Sequence, residues 1–523
     1  MTGVPIDIDI VSSSIIFPES RSGKPMTVPL SIMDSTVSYF SRCASIWYYD
    51  PPSNPSKANP LTRDHLQTAL SKTLNSYPQW CGRLSYARYK QNCGHTNRYR
   101  RVHVTYNSPT DLGVLFVTAT SPQVLSDFIL EPEIRKTSFK AWDDSLIPSE
   151  SLFPRTELSL SNEGVPVDAP NLVVQLTTFV CGGTALSISI THSLADAQSL
   201  SQFARDYSSM ASAMLNLRTL PALRPLFDPS LLDAYAAGDI DAEMPDTSIQ
   251  EKARKLPLHR YDNYIGKPQV KLPPDLDIVA HLPLSPSIPI PWNEWDVHAP
   301  VAHRLLHFTS SDVDGIHGLT SPPTGVGATR ISKLDALLSH IWALINTARK
   351  LPPDTKTFLD LSVGLRSRLD PPLPPSFLGS PIISAAISMS TPSGSDVAQS
   401  LAATATQIRT LLTQFTPQNT AAILHDAAFE VSPQRLWRCF LGDKHVLLTP
   451  WLHLKLDEVD FGATGRLKHI SPIMPSCDGL VDVLESLGER KEGHWSRNGV
   501  DVSIYLEAKA MDRLLADESL WTA

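Results

Sequence analysis

The sequence has few cysteines, and they form no recognisable motif. Six cysteines are scattered over 523 residues without a Cys-x-x-Cys pair. This excludes a small disulfide-stapled domain and is typical of a reducing compartment. The first 20 residues also lack the basic flank and apolar core of a secretory signal, and they carry Asp7 and Asp9 instead. These absences predict a cytoplasmic protein.

Long apolar runs and an excess of positive charge are also missing. No stretch approaches the roughly 18 apolar residues of a membrane-spanning helix. The formal net charge of -8 provides no overall positive field to attract nucleic acid or an anionic membrane. The sequence therefore predicts neither a membrane nor a nucleic acid as a partner. Hydrophobic residues (42%) and charged residues (19%) are instead present in the proportions of globular proteins.

Proline is abundant but unevenly placed. The 44 prolines concentrate in Pro221–Pro229 and Pro268–Pro300, and such stretches resist regular structure and commonly form linkers. A chain of this length also exceeds one ordinary hydrophobic core, so about two large domains are expected. We predict an N-terminal domain at residues 1–225, a proline-rich crossover at 226–300 and a C-terminal domain at 301–523.

Helical and strand periodicities occur in both halves of the chain. Apolar residues recur at helical spacing within residues 61–84 and 332–350. Two β-type runs within residues 171–190 are separated by Gly182-Gly183, which predicts a hairpin. Strand alternation recurs in the second half at residues 447–456 and 502–506. Strands interleaved with helices predict an α/β or α+β layered fold.

His192 lies in the short connection between the second strand of this hairpin and a predicted helix. The apolar residues Leu186, Ile188 and Ile190 share one face of the strand, and His192, two positions further on, falls on the same face. Its imidazole should therefore enter a protected interior, and Asp196 follows four residues later. Because an imidazole with a pKa of about 6.5 can accept a proton near neutral pH, His192 is a candidate general base.

The spacing of His192 and Asp196 does not decide the function by itself. A second His-x-x-x-Asp segment occurs at His453–Asp457, where leucines occupy the apolar face and the histidine lies opposite them. We interpret this second copy as a chance match. Buried histidines are also often structural. From the spacing alone, a catalytic and a structural role for His192 both stay open.

The wider sequence resembles the BAHD acyltransferases, which carry an H-x-x-x-D segment in mid-chain and a DFGWG segment near the C-terminus. The counterparts here are His192–Asp196 and Asp460–Gly465, in which the tryptophan is replaced and one residue is added, as in divergent fungal-type members. Weaker similarities follow in the family's order over nearly the whole chain. They are LSIMDS at Leu30–Ser35, LSKTLNSYPQWCGRL at Leu70–Leu84, SKLDALLSHIW at Ser332–Trp342, VGLRSRLDPPLPPSFLGS at Val363–Ser380 and LLTPW at Leu447–Trp451.

The resemblance implies two chloramphenicol-acetyltransferase-like α/β domains with a channel between them. His192 would act at the centre of this channel as general base, taking the proton of an acceptor hydroxyl while its oxygen attacks an acyl-CoA thioester in a ternary complex. An acyl-CoA, with acetyl-CoA expected, would be the co-substrate, and no permanently bound cofactor or metal is implied. The acceptor would be a small-molecule alcohol of secondary metabolism, and the protein a monomer.

The resemblance also implies structural roles for the two motifs. Asp196 would hold the histidine loop in shape by pairing with an arginine, and Asp460 would pair with Arg366. Phe461 and Gly462 complete the second motif. Without the resemblance, Arg366 fits an ordinary surface cation equally well.

Substrate-binding residues follow from the same resemblance. Thr449 is the candidate donor to the oxyanion of the tetrahedral intermediate. The nucleotide end of CoA would contact Arg330, Ser332 and Lys333, because a helix N-terminus with cations suits phosphate, and Trp451 would flank the pantetheine arm. An exposed helix cap without a ligand is the alternative interpretation of the first three residues.

Two other functions stay open at this point. A condensation-type enzyme shares the fold and takes acyl groups from a carrier protein, but its signature is HHxxxD. Here Thr191 precedes His192, and the sequence shows no carrier domain. A non-catalytic binding protein of the same fold is the other alternative, and the intact His192 argues against it.

Overall fold

The computed structural model of the chain describes most of its residues. It describes residues 7–521 apart from 21–22, 41, 53–60, 132–133, 135–139, 148, 161–167, 266–271, 274, 321–329, 392–396, 463–464 and 489–492. Parts of the predicted crossover therefore lie outside the described residues. The same holds for Ala463 and Thr464 in the second motif.

Helices and strands occur in both halves of the described chain. The helices are α1 (Ile32–Thr36), α2 (Arg63–Leu74), α3 (Ala197–Leu215), α4 (Ser230–Asp233), α5 (Thr247–Arg254), α6 (Ser310–Thr320), α7 (Lys333–Arg349), α8 (Val397–Leu412), α9 (Pro417–Ala428) and α10 (Ala508–Leu515). The strands are β1 (Asp9–Ile16), β2 (Met26–Pro29), β3 (Cys43–Tyr49), β4 (Arg83–Tyr86), β5 (Val102–Tyr106), β6 (Val114–Ser121), β7 (Ala141–Asp143), β8 (Leu172–Phe179), β9 (Thr184–Ile190), β10 (Tyr261–Asp262), β11 (Ile288–Pro289), β12 (Val301–Phe308), β13 (Lys356–Gly364), β14 (Ile382–Ser390), β15 (Leu436–Trp437), β16 (His445–Pro450), β17 (Leu467–Pro472), β18 (Leu480–Glu485) and β19 (Val500–Glu507). The predicted α/β layering is confirmed.

The first large sheet has six strands in the order β1-β6-β8-β9-β3-β17. The predicted hairpin is confirmed as β8 and β9, which pair antiparallel. Gly182 at its turn has a φ of 83°, a conformation that favours glycine. The apolar face of β9, with Leu186, Ile188 and Ile190, packs in one core with Leu70 of α2 and with α3.

The second large sheet has seven strands in the order β14-β13-β16-β18-β19-β12-β7. Its edge strand β7 comes from the first half of the sequence and pairs with β12. In return, β17 from the second half pairs with β3 in the first sheet. Strand β12 begins at Val301, where the C-terminal domain was predicted to start. Each sheet therefore contains a strand from the other half of the sequence, and backbone hydrogen bonds within the sheets connect the two halves of the chain.

Three predicted helices are confirmed, among them α3 after His192, and one predicted strand is too long. The helix expected within residues 61–84 is α2, and the helix expected within residues 332–350 is α7. The strand expected at residues 447–456 ends at Pro450. Beyond it, His453 and Lys455 take left-handed backbone conformations with φ values of 63° and 56°, which cannot continue a strand.

The second sheet has one apolar and one polar face. Helices α6, α7 and α8 pack on the apolar face, in a core that includes Leu361, Leu448, Val483 and Val502 from four adjacent strands. Because side chains alternate along a strand, the neighbouring residues of these strands point to the opposite face. No helix among the described residues is long and apolar enough to cross a membrane.

Candidate active site

His192 lies in the turn that joins β9 to α3, and its side chain is half-buried. The alternation of apolar residues before His192 correctly predicted that its side chain points away from bulk solvent. The ring of Phe40 contacts the imidazole edge-on, with ring centroids 5.7 Å apart. The second copy of the spacing, at His453, lies on an exposed turn, which agrees with its interpretation as a chance match.

Ser380 fixes the protonation pattern of the His192 ring. The Ser380 hydroxyl donates its proton to the backbone carbonyl of His192, while its Oγ lies 3.2 Å from His192 Nδ1. A serine hydroxyl has one proton to donate, so the contact with Nδ1 requires a proton on Nδ1. The lone pair of the neutral imidazole is then on Nε2, which is the nitrogen available to act as a base.

Asp34 in turn positions Ser380. Its Oδ1 accepts a hydrogen bond of 2.6 Å from the backbone N–H of Ser380, and its Oδ2 accepts from Ser31 in a capping box at the start of α1. Burial raises the pKa of Asp34 to about 7, although these hydrogen bonds oppose that rise. Gly379 has a φ of 136°, and a Cβ there would lie 2.9 Å from Asp34 Oδ1. Asp34 and Ser380 lie in segments that resemble the family, but nothing in the sequence pattern indicated this role for them.

Asp196 holds the other end of the histidine loop. Its carboxylate caps α3 by accepting from the backbone N–H of Ser199 at 3.0 Å. Arg366 binds both carboxylate oxygens, at 2.5 and 3.0 Å, and also donates to the backbone carbonyls of Phe377 and Gly379. Both partners of this ion pair are buried. The predicted pairing of Asp196 with an arginine is what the structure shows, and it joins residues 170 positions apart.

The predicted pairing of Asp460 with Arg366 is wrong. Asp460 is exposed, and its carboxylate accepts from the backbone N–H of Gly462 at 2.9 Å. Arg366 cannot serve it because its donors are occupied by Asp196 and by carbonyls. Phe461 is fully buried against Tyr207. Gly462 has a φ of 77°, so the second motif is a packing and turn element.

Two opposing effects act on the pKa of His192. Burial lowers the pKa because it disfavours the charged imidazolium, and the nearby negative charge of Asp196 raises it. Burial is the larger effect, so the pKa lies below its ordinary value. The imidazole is therefore neutral, and ready to accept a proton, at neutral pH.

Thr449, the predicted oxyanion donor, belongs to a row of polar side chains across the second sheet. Ser384 lies opposite Ser362, Ser362 Oγ lies 3.2 Å from Thr449 Oγ1, Thr449 lies opposite Asp482, and Asp482 lies opposite Ser503. All five alternate with residues of the apolar core, so they share the face that the helices leave free. We call these five residues the polar row.

The residue at each end of the polar row lines a cavity. Ser384 lines a cavity of about 50 Å³, together with Phe40, which contacts His192. Ser503 at the other end lines a cavity of about 130 Å³, together with Trp451. The row thus leads from the neighbourhood of the histidine to a second opening. Trp451 lines this second cavity, and its contact with the pantetheine arm stays a prediction.

The predicted CoA contacts lie at the start of α7. Ser332 caps the helix in a capping box with Asp335, so its hydroxyl is already in use. Lys333 pairs with the exposed Asp314, and Arg330 is exposed. Of the three, Arg330 and Lys333 are the cations that remain accessible to a phosphate.

His494 connects this helix start to the larger cavity. Its side chain lines that cavity. Burial lowers the pKa of His494, and the positive charge of Lys333 lowers it further. The Nε1 of Trp451, in the same cavity, has no hydrogen-bond partner in the described part of the chain. The larger cavity is therefore lined by a donor that no described residue satisfies.

His259, Asp360 and His445 form a buried cluster that their sequence positions do not suggest. Their ligand-type atoms lie within 4.8 Å of one another, as in a two-histidine carboxylate metal set. The carboxylate already pairs with His259 at 2.9 Å and with His445 at 3.1 Å, and it accepts from the backbone N–H of Phe440. Burial raises the pKa of Asp360, but the two histidines outweigh burial and hold it below its ordinary value. The carboxylate and the two imidazoles are therefore in direct contact in the core.

Comparison with known proteins identifies relatives over the whole chain. The sequence profile of the Transferase family matches residues 6–267 and 273–520. An acyltransferase of Alternaria alternata, AFT15-1, is 27% identical over 98% of this chain and 97% of its own length. These matches include both halves and both motifs.

Solved structures with the same fold confirm the architecture. Vinorine synthase superimposes with a TM-score of 0.63 at 17% identity, covering 98% of each chain. The Fusarium sporotrichioides protein TRI101, crystallised with coenzyme A and T-2, superimposes with a TM-score of 0.62 at 16% identity, covering 95% of this chain and 98% of its own. At this level of sequence identity, the similarity shows that the proteins share a fold.

Replacing Arg366 should test the ion pair that holds the histidine loop. Arg366→Gln leaves the buried carboxylate of Asp196 without its cation, and breaking such a pair costs about 3–5 kcal/mol. We expect a clear fall in the midpoint of thermal unfolding. The matched control is Arg368→Gln, because Arg368 donates to the carbonyls of Leu412 and Phe415. An equal effect of the two substitutions would contradict a special role for the Asp196 pair.

Proposed function

The chain belongs to the Transferase family, the BAHD-type acyltransferases, and from this premise we propose that it transfers an acyl group from acyl-CoA to a hydroxyl of a small molecule. We further propose that acetyl-CoA is the donor and that the acceptor is an alcohol of fungal secondary metabolism. The observation that carries the proposal is the neutral imidazole of His192, half-buried, with its Nε2 lone pair free.

The proposed reaction uses His192 as general base. Nε2 takes the proton of the acceptor hydroxyl while the hydroxyl oxygen attacks the thioester carbonyl carbon. The carbonyl oxygen becomes an oxyanion, for which the Thr449 hydroxyl is the proposed donor. The C–S bond then breaks, the CoA sulfur receives the proton from the imidazolium, and the ester and free CoA leave. No bond to the protein forms in this sequence.

The two cavities support a ternary complex. In this proposal the acceptor occupies the smaller cavity, beside Phe40 and His192, and the acyl-CoA enters through the larger one, past Trp451. The accessible cations Arg330 and Lys333 would then bind the phosphates of the nucleotide end. The crystallisation of TRI101 with coenzyme A and T-2 supports a CoA donor and a small acceptor for a protein of this fold.

Removing the proposed base should abolish transfer. His192→Ala should lower acyl transfer by at least about a hundredfold, because general bases contribute on the order of 10²–10⁴ to the rate. The assay follows free thiol release and newly acylated masses with a panel of acyl-CoAs and a fungal metabolite extract. The control is His453→Ala, because His453 is exposed and should not affect the rate. A wild-type protein that binds and consumes no acyl-CoA would overturn the proposed function and favour a carrier-protein donor or a binding role.

The pH dependence should follow the lowered pKa of His192. The neutral imidazole is the active form, and burial lowers its pKa below 6.5. Therefore the acid-side decline of kcat/KM should have its midpoint below pH 6.5. Asp196→Asn removes the charge that raises the pKa, so the decline of the residual activity should move to still lower pH. A decline centred above pH 6.5 in the wild-type protein would contradict the assignment.

A further inference from the structure

Asp482 is the one carboxyl group in the polar row, and it has no partner there. Its side chain is 1% exposed. The Oδ1 atom forms no hydrogen bond within the described part of the chain, and no ion pair there includes Asp482. Burial raises the pKa of this carboxyl well above its ordinary value. The group is therefore a buried acid that the protein itself does not satisfy.

Other buried carboxylates nearby are satisfied by cations. Asp478, at the start of the same hairpin, lies 3.3 Å from a guanidinium nitrogen of Arg349 and also accepts from a backbone N–H. Asp262 pairs at 2.5 Å with Arg435. Asp482 differs from both in lacking any such contact among the described residues. Asp478 and Asp262 are also buried and do have partners, so burial alone does not explain why Asp482 lacks one.

An unpaired buried carboxyl is costly to folding. Taking a polar group out of water without a hydrogen bond is unfavourable. No contact in the described part of the chain recovers this cost for Asp482. Asp482 lies in the row between Thr449 and Ser503, and Ser503 lines the larger cavity, so the carboxyl is one strand position away from that cavity.

We propose that Asp482, with Thr449 beside it, is a recognition subsite for a hydroxyl or amino group carried by the ligand. The inference rests on the proposed acyl transfer and adds a substrate class to it. A carboxyl can accept a hydrogen bond from either group, and in its protonated form it also donates to a hydroxyl oxygen. The polar group belongs to the acyl chain of the donor or to a second position of the acceptor, and an unsubstituted hydrocarbon would leave Asp482 unpaired.

Stability separates a ligand subsite from a structural role. Asp482→Leu should raise the midpoint of thermal unfolding of the ligand-free protein by about 2 °C, because it removes an unsatisfied buried polar group. Asp482→Asn keeps the shape and should leave the midpoint near that of wild type. The matched control is Asp478→Asn, which breaks a satisfied pair and should lower the midpoint. A similar fall with Asp482→Leu and Asp482→Asn would overturn the proposal, because it would show that the protein itself uses the carboxyl.

Paired substrates test recognition and identify its source. Wild type and both Asp482 variants are compared with butyryl-CoA and 3-hydroxybutyryl-CoA, through ligand-induced thermal shift and thiol release, and with acetyl-CoA plus a fungal metabolite extract. If the acyl chain carries the group, wild type prefers the hydroxylated chain and Asp482→Leu loses about tenfold or more of that preference. If the acceptor carries it, acyl-CoA binding is unchanged and acylation with acetyl-CoA falls about tenfold or more.

The two proposals fail in different ways. If wild type shows no thermal shift and no thiol release with any of the acyl-CoAs, the proposed function is overturned. If wild type is active and the Asp482 variants match it with both acyl chains and with the extract, the transferase assignment stands and the subsite is overturned.

Discussion

The ion pair between Asp196 and Arg366 is the contact on which the site depends. It ties the loop after β9, in the first half of the chain, to the segment before β14, in the second half. Both partners are buried, so the pair is costly to break and its geometry is specific. The same guanidinium also binds the carbonyls of Phe377 and Gly379. The residues that position His192 are thereby held against the histidine loop.

The ion pair between Asp196 and Arg366 also affects the chemistry of the His192 imidazole. Ser380 follows the segment held by Arg366, and its backbone N–H is fixed by Asp34 from a third part of the chain. Toward Nδ1 the serine oxygen can act only as an acceptor, because its own proton is donated to the carbonyl of His192. A structural ion pair and a buried capping aspartate therefore decide which nitrogen can act as a base, although neither touches Nε2.

The fold was predictable from the sequence because it depends on local periodicity. Alternation and a glycine pair predicted the β8–β9 hairpin and the inward direction of His192, and helical spacing predicted α2 and α7. The strand prediction failed beyond Pro450, because the apolar alternation continues there while the backbone turns. Local patterns report which side chains are apolar and do not report where a strand ends.

The site was only partly predictable because it is assembled across the two halves. The resemblance predicted that Asp196 pairs with an arginine, as it does, but it assigned Arg366 to Asp460, since no spacing indicates which of two carboxylates a distant arginine meets. The contributions of Asp34 and Ser380 and the isolation of Asp482 became visible only in three dimensions. The polar row likewise depends on the register of five neighbouring strands, which no single segment encodes.

The position of the proton on His192 is the most direct test of this account. Protein labelled with ¹⁵N-histidine, compared with His192→Gln to assign the resonance among the 16 histidines, reports which ring nitrogen carries the proton at neutral pH. The account predicts a neutral ring with a protonated Nδ1 and an unprotonated Nε2. A ring protonated on Nε2 with a free Nδ1, or a ring protonated on both nitrogens, would contradict it.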